Sequence, residues 1–219
     1  MKKSNRSKAN GPDNSILFVA GRKGSGKTTL IHAIAALHDR VFVLDSMGSE
    51  GEPEYRVVFG FDECISAIEQ AAKAKTFRIS LRCPSTDELL ALVPIIETVE
   101  DCLLVVDEAS FYCSPNYLPD ELSSILRYGR HARISQIYAA RRPSEIHREV
   151  TAAADVVITF QHHEPRDLAY FRALGGERFA ERVRNLPRFR CAVWGDLEKA
   201  PSPALEAASV VVDGSAPME

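Results

Sequence analysis

Short runs of β-branched and aliphatic residues alternate along the chain with longer stretches of helical periodicity, the pattern of a parallel sheet covered by helices. The runs predict strands over residues 15–20, 40–45, 56–60, 77–82, 102–107, 135–140, 155–161 and 189–194. Between them the spacing predicts helices over 27–38, 62–73, 86–100, 119–128, 144–153, 165–174 and 177–185. Ser85 is placed to cap the third helix, and Pro94 should kink it or mark its true start. Gly175 and Gly176 separate the last two. The alternation runs without interruption from 15 to 196, which implies one α/β domain. Residues 1–14 are polar and basic, carrying Lys2, Lys3, Arg6 and Lys8, and 197–219 are small, polar and acidic; both read as flexible tails.

Composition narrows the class without naming it. A chain of 219 residues that is 45% hydrophobic can bury one sizeable core. A formal charge of -3 argues against a uniformly cationic nucleic-acid coat or membrane-facing surface, so local patches matter more than the total. Cys64, Cys83, Cys102, Cys113 and Cys191 show no C-x-x-C spacing and are odd in number, which suggests neither a zinc site nor a disulfide framework and fits a reducing cytoplasm. The N-terminal stretch lacks an apolar signal core, and no run approaches the roughly 18 apolar residues of a membrane span, so a soluble protein is expected.

The strongest chemical signal is Gly21-Arg22-Lys23-Gly24-Ser25-Gly26-Lys27-Thr28, followed by Thr29. It satisfies G-x-x-x-x-G-K-[ST] between a predicted strand and a predicted helix. Glycines at 21, 24 and 26 let backbone N–H groups wrap phosphates, and the helix N-terminus adds positive potential there. Lys27 would reach the β and γ phosphates, and the Thr28 hydroxyl would hold magnesium. The chain is therefore expected to bind ATP and Mg2+ in a P-loop NTPase fold, a three-layer sandwich with a mainly parallel central sheet.

A second signal is Cys102-Leu-Leu-Val-Val-Asp107-Glu108, an apolar run ending in two acids, about 80 residues beyond the P-loop. At the carboxyl edge of a parallel sheet Asp107 would join the magnesium shell, and Glu108 would orient or deprotonate the attacking water. A third is the cluster of six arginines, Arg127, Arg130, Arg133, Arg141, Arg142 and Arg148, set against Glu145 and Glu149. Such a patch fits either phosphate contact or a solvated helix face.

Together the P-loop, the Asp107-Glu108 pair and the run from Arg130 to Ser144 resemble the FtsK/HerA superfamily of DNA-pumping ATPases, most of all the genome-packaging ATPases of tailless, membrane-containing phages. The resemblance extends over roughly residues 15–196, through Asp155 to Phe160, Asp167, Leu174-Gly175, Leu186-Pro187 and the strand ending at Trp194. It implies a homo-oligomeric ring, a hexamer, around double-stranded DNA, with capsid or vertex proteins as further partners and a cytoplasmic or virion-associated location. It also implies an arginine finger reaching a neighbour's γ-phosphate, for which Arg130 sits at the matching place and Arg127 and Arg133 are fallbacks. Where the family uses a sensor glutamine after the next strand, this chain has Arg141, which could sense the γ-phosphate as a cation or serve DNA or an intersubunit contact.

Other features carry less. His162 and His163 are adjacent on a strand and should point to opposite faces, with no third metal ligand by spacing. Ser110 lacks a G-x-S-x-G elbow. Phe111, Tyr112 and Tyr117 could lie near a nucleotide or channel or simply pack in a loop, and Trp194 reads as core. The competing readings are a P-loop nucleoside or small-molecule kinase using Glu108 as base, since Asp107 to Phe111 also resembles thymidine kinases, and an ATP-dependent phage assembly or secretion factor. The first is disfavoured by the lack of a cysteine-rich zinc lasso, the second and the cellular DNA pumps by the lack of a membrane span or added domain.

Overall fold

The computed structural model describes residues 14–48 and 54–214. In chain order the elements are β1 (Ile16–Ala20), α1 (Lys27–Ala35), β2 (Arg40–Leu44), β3 (Arg56–Phe59), α2 (Phe61–Ala72), β4 (Phe77–Arg82), α3 (Thr86–Ala91), α4 (Val93–Glu97), β5 (Leu103–Val106), α5 (Asp120–Tyr128), β6 (Ser135–Ala140), α6 (Arg148–Ala153), β7 (Val156–Thr159), α7 (Pro165–Arg184), β8 (Cys191–Gly195), α8 (Ser202–Ala207) and β9 (Ala208–Asp213). The strands form one nine-stranded sheet in the order β3-β4-β2-β5-β6-β1-β7-β8-β9. Strands β1 to β7 are parallel, β8 runs antiparallel to β7, and β9 is parallel to β8.

Successive residues of a strand face opposite sides, and here both sides are apolar. Leu17 and Val19 of β1 join one buried cluster with Leu30, Ile31 and Ile34 of α1 and Ala204 of α8. Phe18 and Ala20 join the other, larger one with side chains from α2 through α7. The result is a helix–sheet–helix sandwich in which each fully buried Leu, Ile or Phe contributes about 1.5–3 kcal/mol. Two buried polar side chains of β6 are matched: Tyr138 OH donates to Gln136 Oε1 (2.8 Å), and Gln136 Nε2 donates to the Ile125 carbonyl (2.8 Å), tying β6 to α5.

Eight strands lie where the hydrophobic runs predict them, with shifted ends. Helix α3 is capped by Ser85, whose hydroxyl accepts from the Glu88 N–H (3.2 Å), and the chain restarts as α4 with Pro94 in its first turn. Gly175 (φ -134°) and Gly176 (φ 79°) interrupt α7 as expected. Two expectations are corrected. The segment 197–219, read as a tail, contributes α8 and the edge strand β9, with Cys191 Sγ donating to the Ala204 carbonyl (3.5 Å) and Val210 to Val212 paired along β8. Its apolar run is too short to stand out from the small residues around it. Strand β8, the last one predicted, starts at Cys191 and not at 189, because Phe189 has φ 63° and cannot continue a ladder. The basic stretch 1–13 and residues 215–219 lie outside the described residues. Among the described residues no helix is long and apolar enough to cross a membrane.

Candidate nucleotide-binding site

Parallel strands β1, β5 and β6 deliver their following residues to one edge of the sheet. After β1 the chain turns through 21–26, and each glycine there has a steric reason. A β-carbon at Gly21 would lie 2.5 Å from Ser25 Oγ and 2.9 Å from Phe160 Cδ2, while Gly26 takes φ 102° just before α1. The Gly21 N–H donates to the Ala140 carbonyl (3.0 Å), so the loop is pinned to the end of β6. Lys27, the first residue of α1, is buried, whereas Arg22, Lys23, Gly24, Thr28 and Thr29 are exposed and Ser25 is half-buried.

The two acids after β5 meet that lysine. Lys27 Nζ lies 3.8 Å from Asp107 Oδ1 and 3.6 Å from Glu108 Oε1. Glu108 adopts a left-handed backbone (φ 48°, ψ 56°), unusual for a residue that is neither Gly, Asn nor Asp, and its N–H donates to Asp107 Oδ1 (3.0 Å). Such a conformation costs about 1–3 kcal/mol and persists where the surroundings hold it. Burial pushes the Asp107 pKa above the usual carboxylate range, opposed by the Lys27 charge and reinforced by the charges of Glu108 and Asp45. Asp45, buried at the end of β2, is held by Arg82 Nη2 at 2.8 Å.

Arg141, just past β6, completes the cluster: its Nε donates to Glu108 Oε1 at 3.3 Å. Glu108 Oε2 is buried without a hydrogen-bond partner among the described residues. Lys27, Asp107, Glu108 and Arg141 therefore converge on one point. The loop carrying Arg141 is anchored by a network that motif reading does not mark. Asp167 of α7 accepts from Arg142 Nε (3.1 Å) and from Ser144 Oγ (2.7 Å), and lies 3.2 Å from His162 Nδ1. These partners hold the Asp167 pKa below its ordinary value against the upward push of burial.

Arg130 lies elsewhere. It sits in a short 3-10 turn, Gly129–Ala132, ahead of β6, at the amino ends of strands whose carboxyl ends hold the phosphate loop. Six residues of strand separate those ends by about 20 Å. The exposed Arg130 side chain makes no hydrogen bond or ion pair among the described residues, although its carbonyl accepts from the Arg133 N–H (3.2 Å), whereas Arg127 is bound to Glu149 (2.8 Å) and Arg133 to Asp101 and Glu100 (2.6 and 2.7 Å). With Arg141 and Arg142 also paired, four of the six arginines of the cluster are bound to acids within the chain, and the exposed Arg148, like Arg130, has no ion pair among the described residues. Of the remaining candidates, His162 is buried against Asp167 while His163 is exposed, Tyr112 is buried, Phe111 and Tyr117 are exposed, and Trp194 packs on the larger core cluster.

A mostly parallel sheet between helical layers, with a glycine loop leading into a buried lysine beside two acids, defines the P-loop NTPase fold. Among solved structures, the chain is similar to the genome packaging NTPase B204 from Sulfolobus turreted icosahedral virus 2. Its complex with AMP superposes with a TM-score of 0.70 at 18% identity, over 85% of this chain and 95% of that one. The complex with ATP-gammaS gives 0.70 at 18% identity over 89% and 96%. B204 described as the DNA-packaging ATPase from Sulfolobus turreted icosahedral virus gives 0.65 at 18% identity over 86% and 96%. The fold thus agrees with the family resemblance read from the sequence. No protein-family model and no curated protein matches the chain.

Proposed function

We propose that this chain hydrolyses ATP with magnesium and uses the energy to drive double-stranded DNA, as the motor that packages a viral genome. The observation that carries the reading is the meeting of Lys27 with Asp107 and Glu108 at the carboxyl edge of the sheet, 3.8 and 3.6 Å apart. Backbone N–H groups of 21–26 would cradle the phosphates, with Lys27 on the β and γ groups. The exposed Thr28 hydroxyl and the Asp107 carboxylate are hard oxygen donors of the kind magnesium takes, and Asp107, strained by burial beside a second acid, gains from a nearby dication. Bound there, magnesium would neutralise charge on the phosphate oxygens.

Glu108 is the general base of this proposal. Its unpartnered Oε2 offers an acceptor for the attacking water, while Oε1 is already held by cations. Arg141 takes the place of a sensor, exchanging Glu108 for the γ-phosphate. Arg130, about 20 Å of strand away from its own phosphate loop, is too far to serve that site and in this proposal acts on the site of an adjacent copy in a ring, a hexamer by family resemblance. Packaging, and capsid or vertex proteins as partners in the host cytoplasm or virion, rests on the fold likeness to B204 together with the sequence motifs.

The test is steady-state ATP hydrolysis with and without double-stranded DNA across protein concentration and salt. Stimulation by DNA that steepens with concentration and weakens with salt is expected. DNA-independent phosphate transfer to a small hydroxyl acceptor would replace the motor with a kinase, and activity dependent on a protein partner alone would favour an assembly or secretion factor.

A further inference from the structure

The acids and cations lie on the β5–β6 side of β1. On the other side, toward β7 and β8, the phosphate loop borders a cavity of about 480 Å³, within the range of small-molecule sites. Its floor is the loop itself, Arg22 to Ser25, and its walls are Phe160 and Gln161 after β7 and the turn from Pro187 to Arg190 before β8. Two rings flank Gly26: a β-carbon there would lie 3.5 Å from both Phe160 Cε1 and Phe189 Cδ1.

The two rings differ. Phe160 is buried and packs against Gly21, so it supports the loop. Phe189 is 56% exposed and presents its ring at the edge of the cavity. It is held there by a tight turn in which the Arg190 N–H donates to the Pro187 carbonyl (3.1 Å), and Arg190 Nη1 is tied to the Glu206 carbonyl (3.2 Å). The Arg188 guanidinium lies 4.6 Å from the centroid of the Phe189 ring. An exposed aromatic and a stacked guanidinium beside a phosphate-shaped loop present flat π and cationic surfaces, the chemistry that receives a nucleobase.

We propose that Phe189 and Arg188 form the base subsite of the nucleotide, so that ATP lies across the carboxyl edge of the sheet with its base toward β8 and its γ-phosphate toward Glu108. This rests on the assignment of residues 21–28 as the phosphate site. Stacking accepts any flat heterocycle, so the subsite contributes affinity for nucleoside triphosphates over bare polyphosphate.

Binding of Mg-ATP and of magnesium tripolyphosphate is measured by calorimetry for the wild type, Phe189→Ala, Phe189→Tyr and Lys27→Ala. Phe189→Ala should weaken ATP about 5- to 100-fold, the range of one lost base–aromatic stack, leave tripolyphosphate unchanged, and be rescued by Phe189→Tyr. Lys27→Ala should weaken both ligands. Equal ATP affinity in wild type and Phe189→Ala overturns the base subsite and leaves the phosphate site standing. Parallel loss of both ligands in Phe189→Ala also overturns it, since the residue then merely supports the loop. Failure of the wild type to bind either ligand overturns the phosphate site and the subsite together.

Discussion

Strand β6 begins and ends beside an arginine, and the two stand in opposite surroundings. At its carboxyl end Arg141 is bound to Glu108, and its loop is anchored through Arg142 and Ser144 to the buried Asp167. At its amino end Arg130 sits in a short turn, its exposed side chain without a partner among the described residues. The turn is nonetheless closely packed: a β-carbon at Gly129 would lie 2.7 Å from Gln136 Nε2, whose amide is itself bonded to α5. Arg141 is thus placed at the candidate site of its own chain, whereas the exposed Arg130 side chain lies at the far end of the strand, and in the proposed ring the strand between them would let one subunit sense its own nucleotide while completing its neighbour's.

The comparison can be broken at several points. Arg130→Ala should retain ATP binding but lower turnover of the assembled protein by about 10^3-fold or more, as for a lost arginine finger. Mixing it with Lys27→Ala subunits should restore phosphate release, because each supplies what the other lacks. Glu108→Gln should reduce turnover by about 10^2- to 10^4-fold with binding intact, the usual contribution of a general base. Asp167→Asn removes a buried carboxylate from three partners and should cost about 3 kcal/mol in denaturant unfolding. Because the folded pKa of Asp167 lies below its unfolded value of 3.8, that contribution is fully present above 3.8 and is lost as pH falls through the folded value. The gap between wild type and variant should therefore narrow only in acid.

Smaller effects sharpen the account. Arg141→Ala should lower turnover by about tenfold, less than the 10^2- to 10^3-fold of a lost transition-state donor, because releasing Glu108 offsets part of the loss. Arg141→Gln, which supplies the sensor amide of the family that the sequence resembles, should do better than alanine. Arg127→Ala breaks an exposed pair with Glu149 and should leave turnover and melting unchanged, separating it from Arg130.

What could be read from the sequence follows from how local the cause is. The phosphate loop, its strand and its helix are contiguous, and the acids after β5 end a run whose burial shows as unbroken aliphatics, so both are legible. The pairings that separate Arg130 from Arg127 and Arg133 are not, because Glu149 and Asp101 lie 22 and 32 residues away and only the fold brings them close. The Asp167 network likewise joins three separate segments of chain. Phe189 was hidden inside an apparent strand, although Pro187 two residues earlier is a turn signal that could have exposed it. Strand β9 pairs with β8, but its three consecutive valines, Val210 to Val212, are too short a run to stand out in a segment otherwise dominated by small and polar residues.

The central claim is that the chain cleaves a nucleoside triphosphate where Lys27 meets Asp107 and Glu108. Its most direct test is phosphate release from Mg-ATP by wild type and Glu108→Gln, measured beside their Mg-ATP dissociation constants at the same protein concentration, with DNA present. The account predicts turnover in the wild type and turnover lower by about 10^2- to 10^4-fold in the variant, at closely similar dissociation constants. Undiminished turnover in Glu108→Gln would contradict it.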